Sequence, residues 1–285
     1  RTQIKMAADD RQARFQRMNA IENTCVGVAT GAIDATLTQW MIYCKNATQQ
    51  KIPIIFNPLI LYRGYIMSVI NSVVLTGVQF PLTGATSRVI LYNQPKKKTL
   101  NEIEQIAAGF VGGFLSGFFC APMELTMIQQ QLYGTSLIAT PAKIISETGI
   151  KGMFRGLETS CLREAIFVSA MLGLGPVVKK YGAEELGMST NSSKMFGACT
   201  AGVIVSTLSH PVDTIKTCQQ GDIMKKEFGG VMGTCQTLMK QGGIPRFFGG
   251  WSWRTSRCIV QAFLWDECRT RLSPLFFPHH FQEER

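Results

Sequence analysis

The feature that most narrows what this chain can fold into is an acid placed, three times over, within an apolar run long enough to cross a bilayer. The run "MFGACTAGVIVSTL" continues as "SHPVDTIKTCQQ", residues 209–220. About 90 residues earlier stands "APMELTMIQQQ", which puts Pro122 under Pro211, Glu124 under Asp213 and Gln131 under Gln220. About 90 residues before that, "GAIDATLTQWM" puts Asp34 under Glu124. A proline inside a helix removes a backbone hydrogen bond and kinks it, and a carboxylate in hydrocarbon demands a partner or a wet cavity. A threefold set of kinked spans that turn their acids toward one axis meets both demands. Self-similarity at a fixed period is the signature of such a repeat.

Six stretches are long enough to cross about 30 Å of hydrocarbon as helices: 21–43, 65–91, 103–132, 159–178, 195–217 and 251–272. Gly27 and Gly31, then Gly109, Gly113 and Gly117, then Ala198 and Gly202 recur at one-turn spacing, which lets helix backbones approach closely. After each acid, an aromatic and a glycine open an even-numbered run: "LYRGYIMSVIN", "MFRGLETSCLRE" and "FFGGWSWRTSR". The organisation read from this is an N-terminal extension 1–20, repeats over 21–95, 96–190 and 191–273, and a tail 274–285.

Composition is compatible with this. Hydrophobic residues make up 46% and charged residues 17%, with a net charge of +10, which suits nucleic acid, an anionic membrane surface or anionic solutes and does not choose among them. Connectors after the odd runs are rich in Lys and Arg, as the positive-inside tendency asks, although Lys96–Lys98 dissent. The nine cysteines include no C-x-x-C and read as reduced. His279 and His280 sit in the tail and His210 stands alone, so no metal site or redox cofactor is expected. No G-x-x-x-x-G-K-[ST], H-E-x-x-H or G-x-S-x-G occurs, so neither an enzyme nor a nucleic-acid binder is indicated. The charged start carries no secretory signal, and a processed targeting peptide is left open.

From about residue 20 to 272 the chain resembles the mitochondrial carrier family, whose three repeats each end their first helix with P-x-[DE]-x-x-[KR]. The third repeat carries the pattern in full, in Pro211, Asp213, Lys216 and Gln220. The resemblance implies an all-α membrane protein of the mitochondrial inner membrane. Its three tandem two-helix repeats form a six-helix barrel around a solute path, with short helices on the matrix side. It implies a matrix gate of Asp34, Glu124, Asp213, Lys216, Gln131 and Gln220, with helix kinks at Pro122 and Pro211. It also implies cardiolipin at the turns Arg63-Gly64 and Arg155-Gly156, and solute contacts at Asn71, Arg163, Glu164, Arg254 and Arg257. The pair Arg163-Glu164 is similar to the pattern in amino-acid carriers. The bland alternatives are an Asp213–Lys216 pair within one helix, and structural roles for Arg163 and Glu164.

The departures from the family pattern lie in the gates. Counted from Asp34, repeat one offers Ala32, Leu37 and Met41 where proline, lysine and glutamine belong, and repeat two has Met127 for lysine. In that register only Lys216 with Asp34 can form. On the other side, only Trp265-Asp266 with Arg269 is similar to the family's second gate. Two readings follow: a carrier of a small charged metabolite working by alternating access, or a non-transporting subunit of a large inner-membrane assembly such as a respiratory complex.

Overall fold

A computed structural model describes residues 18–92, 100–184 and 186–281. Six long helices form the body: α1 (Ala20–Gln49), α3 (Tyr65–Tyr92), α4 (Glu102–Tyr133), α6 (Leu157–Glu184), α7 (Thr190–Gly221) and α9 (Trp251–Phe276). Each matches one apolar run and extends it at one or both ends. Between the members of each pair lie short helices: α2 (Pro58–Leu61), α5 (Ala139–Thr148) and α8 (Val231–Phe247). Lys96–Lys98 and most of the N-terminal extension lie outside the described residues.

Local chemistry sets the helix starts. Asn19 with Glu22, and Asn101 with Glu104, form reciprocal capping boxes, so the first unpaired backbone donors of α1 and α4 are satisfied. Ser189 caps α7. The helices of the even-numbered runs, α3, α6 and α9, follow Gly64, Gly156 and Gly250, whose φ values of 75°, 73° and 77° lie in the left-handed region that only glycine enters without strain. Pro122 and Pro211 sit inside α4 and α7, as expected.

The long helices close into a ring: α1 packs on α3, α3 on α4, α4 on α6, α6 on α7, α7 on α9, and α9 back on α1. The small residues line three of these seams. A Cβ on Gly31 would stand 3.2 Å from Ser72, one on Gly117 2.5 Å from the Cα of Cys161, and one on Gly202 2.8 Å from Ile259. Close backbone approach is what drives association where lipid removes the hydrophobic incentive.

Polarity is inverted relative to a water-soluble protein. Asp34, Gln39, Gln49, Glu124, Asp213, Lys216 and Gln220 are buried, whereas Phe110, Phe114 and Phe118, one face of α4, are exposed. An interior of paired charges inside an apolar exterior suits hydrocarbon. Residues 58–92, 103–133 and 195–221 are apolar enough to span by composition alone. The other three helices carry the inward charges Asp34, Arg163, Glu164, Arg254 and Arg257.

Candidate functional site

The C-terminal ends of α1, α4 and α7 converge and are tied by buried ions. Lys45 Nζ on α1 lies 2.7 Å from Asp213 Oδ2 on α7, and Lys216 Nζ on α7 lies 3.2 Å from Glu124 Oε2 on α4. Lys216 also lies 3.5 Å from Asp213 of its own helix. Arg254 on α9 reaches Asp213 at 2.8 Å and donates to Ser209 Oγ. Arg163 on α6 donates to Glu124 at 2.5 Å and to Glu164. Gln49 donates to Asp213 and to Thr214. Removing one partner from such a buried set leaves an uncompensated charge, a cost of about 3–5 kcal/mol.

The expected pairing of Lys216 with Asp34 does not occur, because the first repeat runs in a different register from the one counted on Asp34. Glu124 and Asp213 lie nine and eight residues before the ends of their helices, and Asp34 lies fifteen. The residues level with Asp213, Lys216 and Gln220 in α1 are Ile42, Lys45 and Gln49. Two of three inter-helix ion pairs are therefore present, not one. Each joins an acid to the base on the next helix in the cycle α1, α4, α7. At the third seam both charges are gone together: Ile42 packs against the cluster of Met67, Met127 and Ile128. Beside it Asn46 donates to Gln131 Oε1 at 2.6 Å. Gln220 donates to Ser160 and to two backbone carbonyls. A visible signal for this register was the shared K-x-x-x-Q of 45–49 and 216–220; Asp34 drew the alignment away because it is the only acid in the body of α1.

Asp34 faces inward two turns from that layer. Its Oδ2 accepts from Arg257 at 3.2 Å and from Gln261 at 3.2 Å, and Arg257 also donates to Thr38. Oδ1 of Asp34, Oε1 of Gln261 and Oδ1 of Asn71 are buried without a hydrogen-bond partner. Arg163 and Glu164 are drawn into the ion layer, whereas Arg257 keeps 26% of its side chain exposed. A cavity of about 760 Å3 opens at the opposite end of the barrel, lined by Asn23, Thr30, Pro81, Arg88, Trp265 and Arg269 among others. Thr30 and Trp265 each stand one helical turn from Asp34 and Gln261, so the cavity leads down to that pair. The Asp266 side chain lies outside the described residues.

The basic residues of the turns face inward. Arg155 donates to the carbonyl of Gln219 in the last turn of α7 and to those of Asp222 and Phe228 in the segment that follows it. Arg246 donates to the carbonyl of Gln49 at the end of α1. The Arg63 guanidinium lies over Gly134, which ends α4 in the left-handed region. The third repeat, which has no basic residue beside Gly250, uses Arg246 instead. These arginines meet the negative ends of the helix dipoles.

Residues 98–185 and 188–270 match the family model described as mitochondrial carrier protein. The first repeat, where the motif has lost its proline and acid, falls outside the match. The chain is 28% identical over 203 residues to the mitochondrial glycine transporter YMC1 of Saccharomyces cerevisiae, covering 66% of each. It is 25% identical over 213 residues to a mitochondrial glycine transporter of Rattus norvegicus, covering 72% of this chain and 64% of the relative. It is 25% identical over 204 residues to S-adenosylmethionine carrier 1, chloroplastic/mitochondrial, of Arabidopsis thaliana, covering 63% and 61%. The chain thus spans about two thirds or less of these relatives' length.

Proposed function

Because this chain belongs to the mitochondrial carrier family, we propose that it moves a small amino-acid-like metabolite across the mitochondrial inner membrane by alternating access. In this reading the ion layer is the matrix gate, drawn closed, and the cavity is the opposite mouth, drawn open. The observation that carries the reading is the Asp34–Arg257 pair lying between the two. The interior sets five cations, Lys45, Arg163, Lys216, Arg254 and Arg257, against the carboxylates of Asp34, Glu124, Glu164 and Asp213. That surplus favours a carboxylate-bearing solute. A zwitterion can exchange with the pair at little electrostatic cost, its ammonium on Asp34 and Gln261, its carboxylate on Arg257. Asn71 is a further contact on α3. Glycine and S-adenosylmethionine, the solutes in the relatives' names, share the α-ammonium and α-carboxylate this site would read.

Arg163, Glu164 and Arg254 serve the gate in this assignment, so substrate exchange is coupled to breaking the layer around Glu124 and Asp213. The non-transporting subunit reading drew its force from an eroded gate, and with two ion pairs present it is not favoured. Cardiolipin phosphate is proposed at the backbone amides of the helix starts after Gly64 and Gly156, since the Arg155 guanidinium already serves protein carbonyls.

The test is exchange of labelled amino acids in liposomes with and without cardiolipin. Saturable uptake, stimulated by cardiolipin and lost in Arg257→Ala and Asp34→Asn while both variants still melt cooperatively, is the expected result. Flat uptake across the amino-acid panel, or unchanged KM in both variants, refutes it.

A further inference from the structure

At the open end of the barrel the two ends of the chain meet. Glu22 lies in the first turn of α1, and His279 and His280 lie in the single 3-10 turn Pro278–His280 that follows α9. His280 Nε2 is 3.0 Å from Glu22 Oε2, and His279 Nε2 is 3.5 Å from Glu22 Oε1. The two imidazoles lie with centroids 4.0 Å apart, and His279 stands edge-on to Phe277. One ligand atom from each of the three residues falls within 4.8 Å of the others.

We propose that Glu22, His279 and His280 bind a divalent transition ion, Zn2+ foremost, which clasps the C-terminal tail to the first turn of α1. Two imidazole nitrogens and one carboxylate oxygen are a donor set zinc takes, whereas calcium and magnesium call for oxygen alone. With zinc bonds of about 2.0–2.2 Å, tetrahedral ligand atoms stand roughly 3.3 Å apart. His280 Nε2 stands 3.0 Å from Oε2 and His279 Nε2 3.5 Å from Oε1, so each imidazole already lies near that separation from one oxygen of the carboxylate. The carboxylate is held in place from behind, since Glu22 Oε2 accepts the Asn19 backbone N–H at 2.8 Å. Such outer support is what orients a ligand. The side chain of His279 is 62% exposed, so water can take the fourth position. The ion would tie the tail behind α9 to α1 beside Asn23 and Thr24 at the cavity mouth.

Thiols would compete for the ion, so the experiment uses the full chain in detergent with its cysteines blocked by N-ethylmaleimide. Co2+ is titrated as the visible probe and Zn2+ as the competitor. The expected result is one saturable equivalent with the absorption of a tetrahedral nitrogen/oxygen site, displaced by Zn2+. His279→Ala, His280→Ala and Glu22→Gln each weaken it at least about tenfold. Gln at position 22 keeps the capping-box acceptor, so α1 stays intact. Zn2+ also slows chymotryptic cleavage after Phe276 in the parent and not in the variants. Absence of saturable Co2+ binding, or binding unchanged in the His279→Ala/His280→Ala double variant, overturns the proposal and leaves a plain histidine–carboxylate hydrogen bond.

Discussion

Restoring the missing third ion pair tests the register of the first repeat directly. Ile42 and Met127 occupy the positions of acid and base at the α1–α4 seam, Met127 being 7% exposed and Ile42 packed on its cluster. Ile42→Asp alone removes a packed side chain and buries a carboxylate with no base opposite. Met127→Lys alone buries an ammonium in the same cluster. Each unpaired buried charge costs about 3–5 kcal/mol. At about 2–4 °C per kcal/mol for a chain of this size, each single variant should melt on the order of 10 °C below the parent. In the double variant the charges meet as Lys216 and Glu124 do. A coupling of about 1–3 kcal/mol is expected, so the double variant melts several degrees above the sum of the singles. The assay is a double-mutant cycle of thermal unfolding in detergent. Strict additivity would place the two side chains out of reach of each other and refute the register.

Two further outcomes follow from single residues. Gly117→Val drives a branched side chain into the backbone of Cys161, where even a Cβ would stand 2.5 Å from Cα, and should cost about 3 kcal/mol of thermal stability. Gly77→Ala, with nothing within 4 Å, should be neutral or stabilising by up to about 1 kcal/mol. Equal losses in both would mean that seam packing does not hold the ring. At the end of α7, burial raises the Asp222 carboxyl, but the backbone N–H groups of Phe228, Glu227 and Lys226 and the charge of Arg155 pull it further down, below the usual carboxylate range. Its stabilisation is thus full above an ordinary pKa of about 3.9 and is lost as pH falls through the lower folded value. Asp222→Asn should lower the melting temperature at pH 7 by a few degrees, and the gap should close in acid. A gap constant from pH 7 down to pH 2 would contradict this.

How much of the site was legible varied with the repeat. In repeats two and three the acids could be read because Pro122 and Pro211 anchor them. In repeat one Trp40 and Ile42 replace proline and acid, so only the K-x-x-x-Q shared by 45–49 and 216–220 marks the level, and Asp34 competes with it. Arg163 likewise is expected to be a solute contact, as the family resemblance implies. Yet a long guanidinium goes where carboxylates lie, and those stand on other helices.

The sequence by itself determined six spans, their glycine seams and the threefold order, because these depend on residues a few positions apart along one helix and on their recurrence about every 90 residues. Tertiary structure alone decided which ions meet. Lys45 reaches Asp213 across 168 residues and Arg257 reaches Asp34 across 223. His280 meets Glu22 across 258. Partners so far apart are chosen by the closing of the ring, and the strength of a buried charge depends on distance in space rather than along the chain.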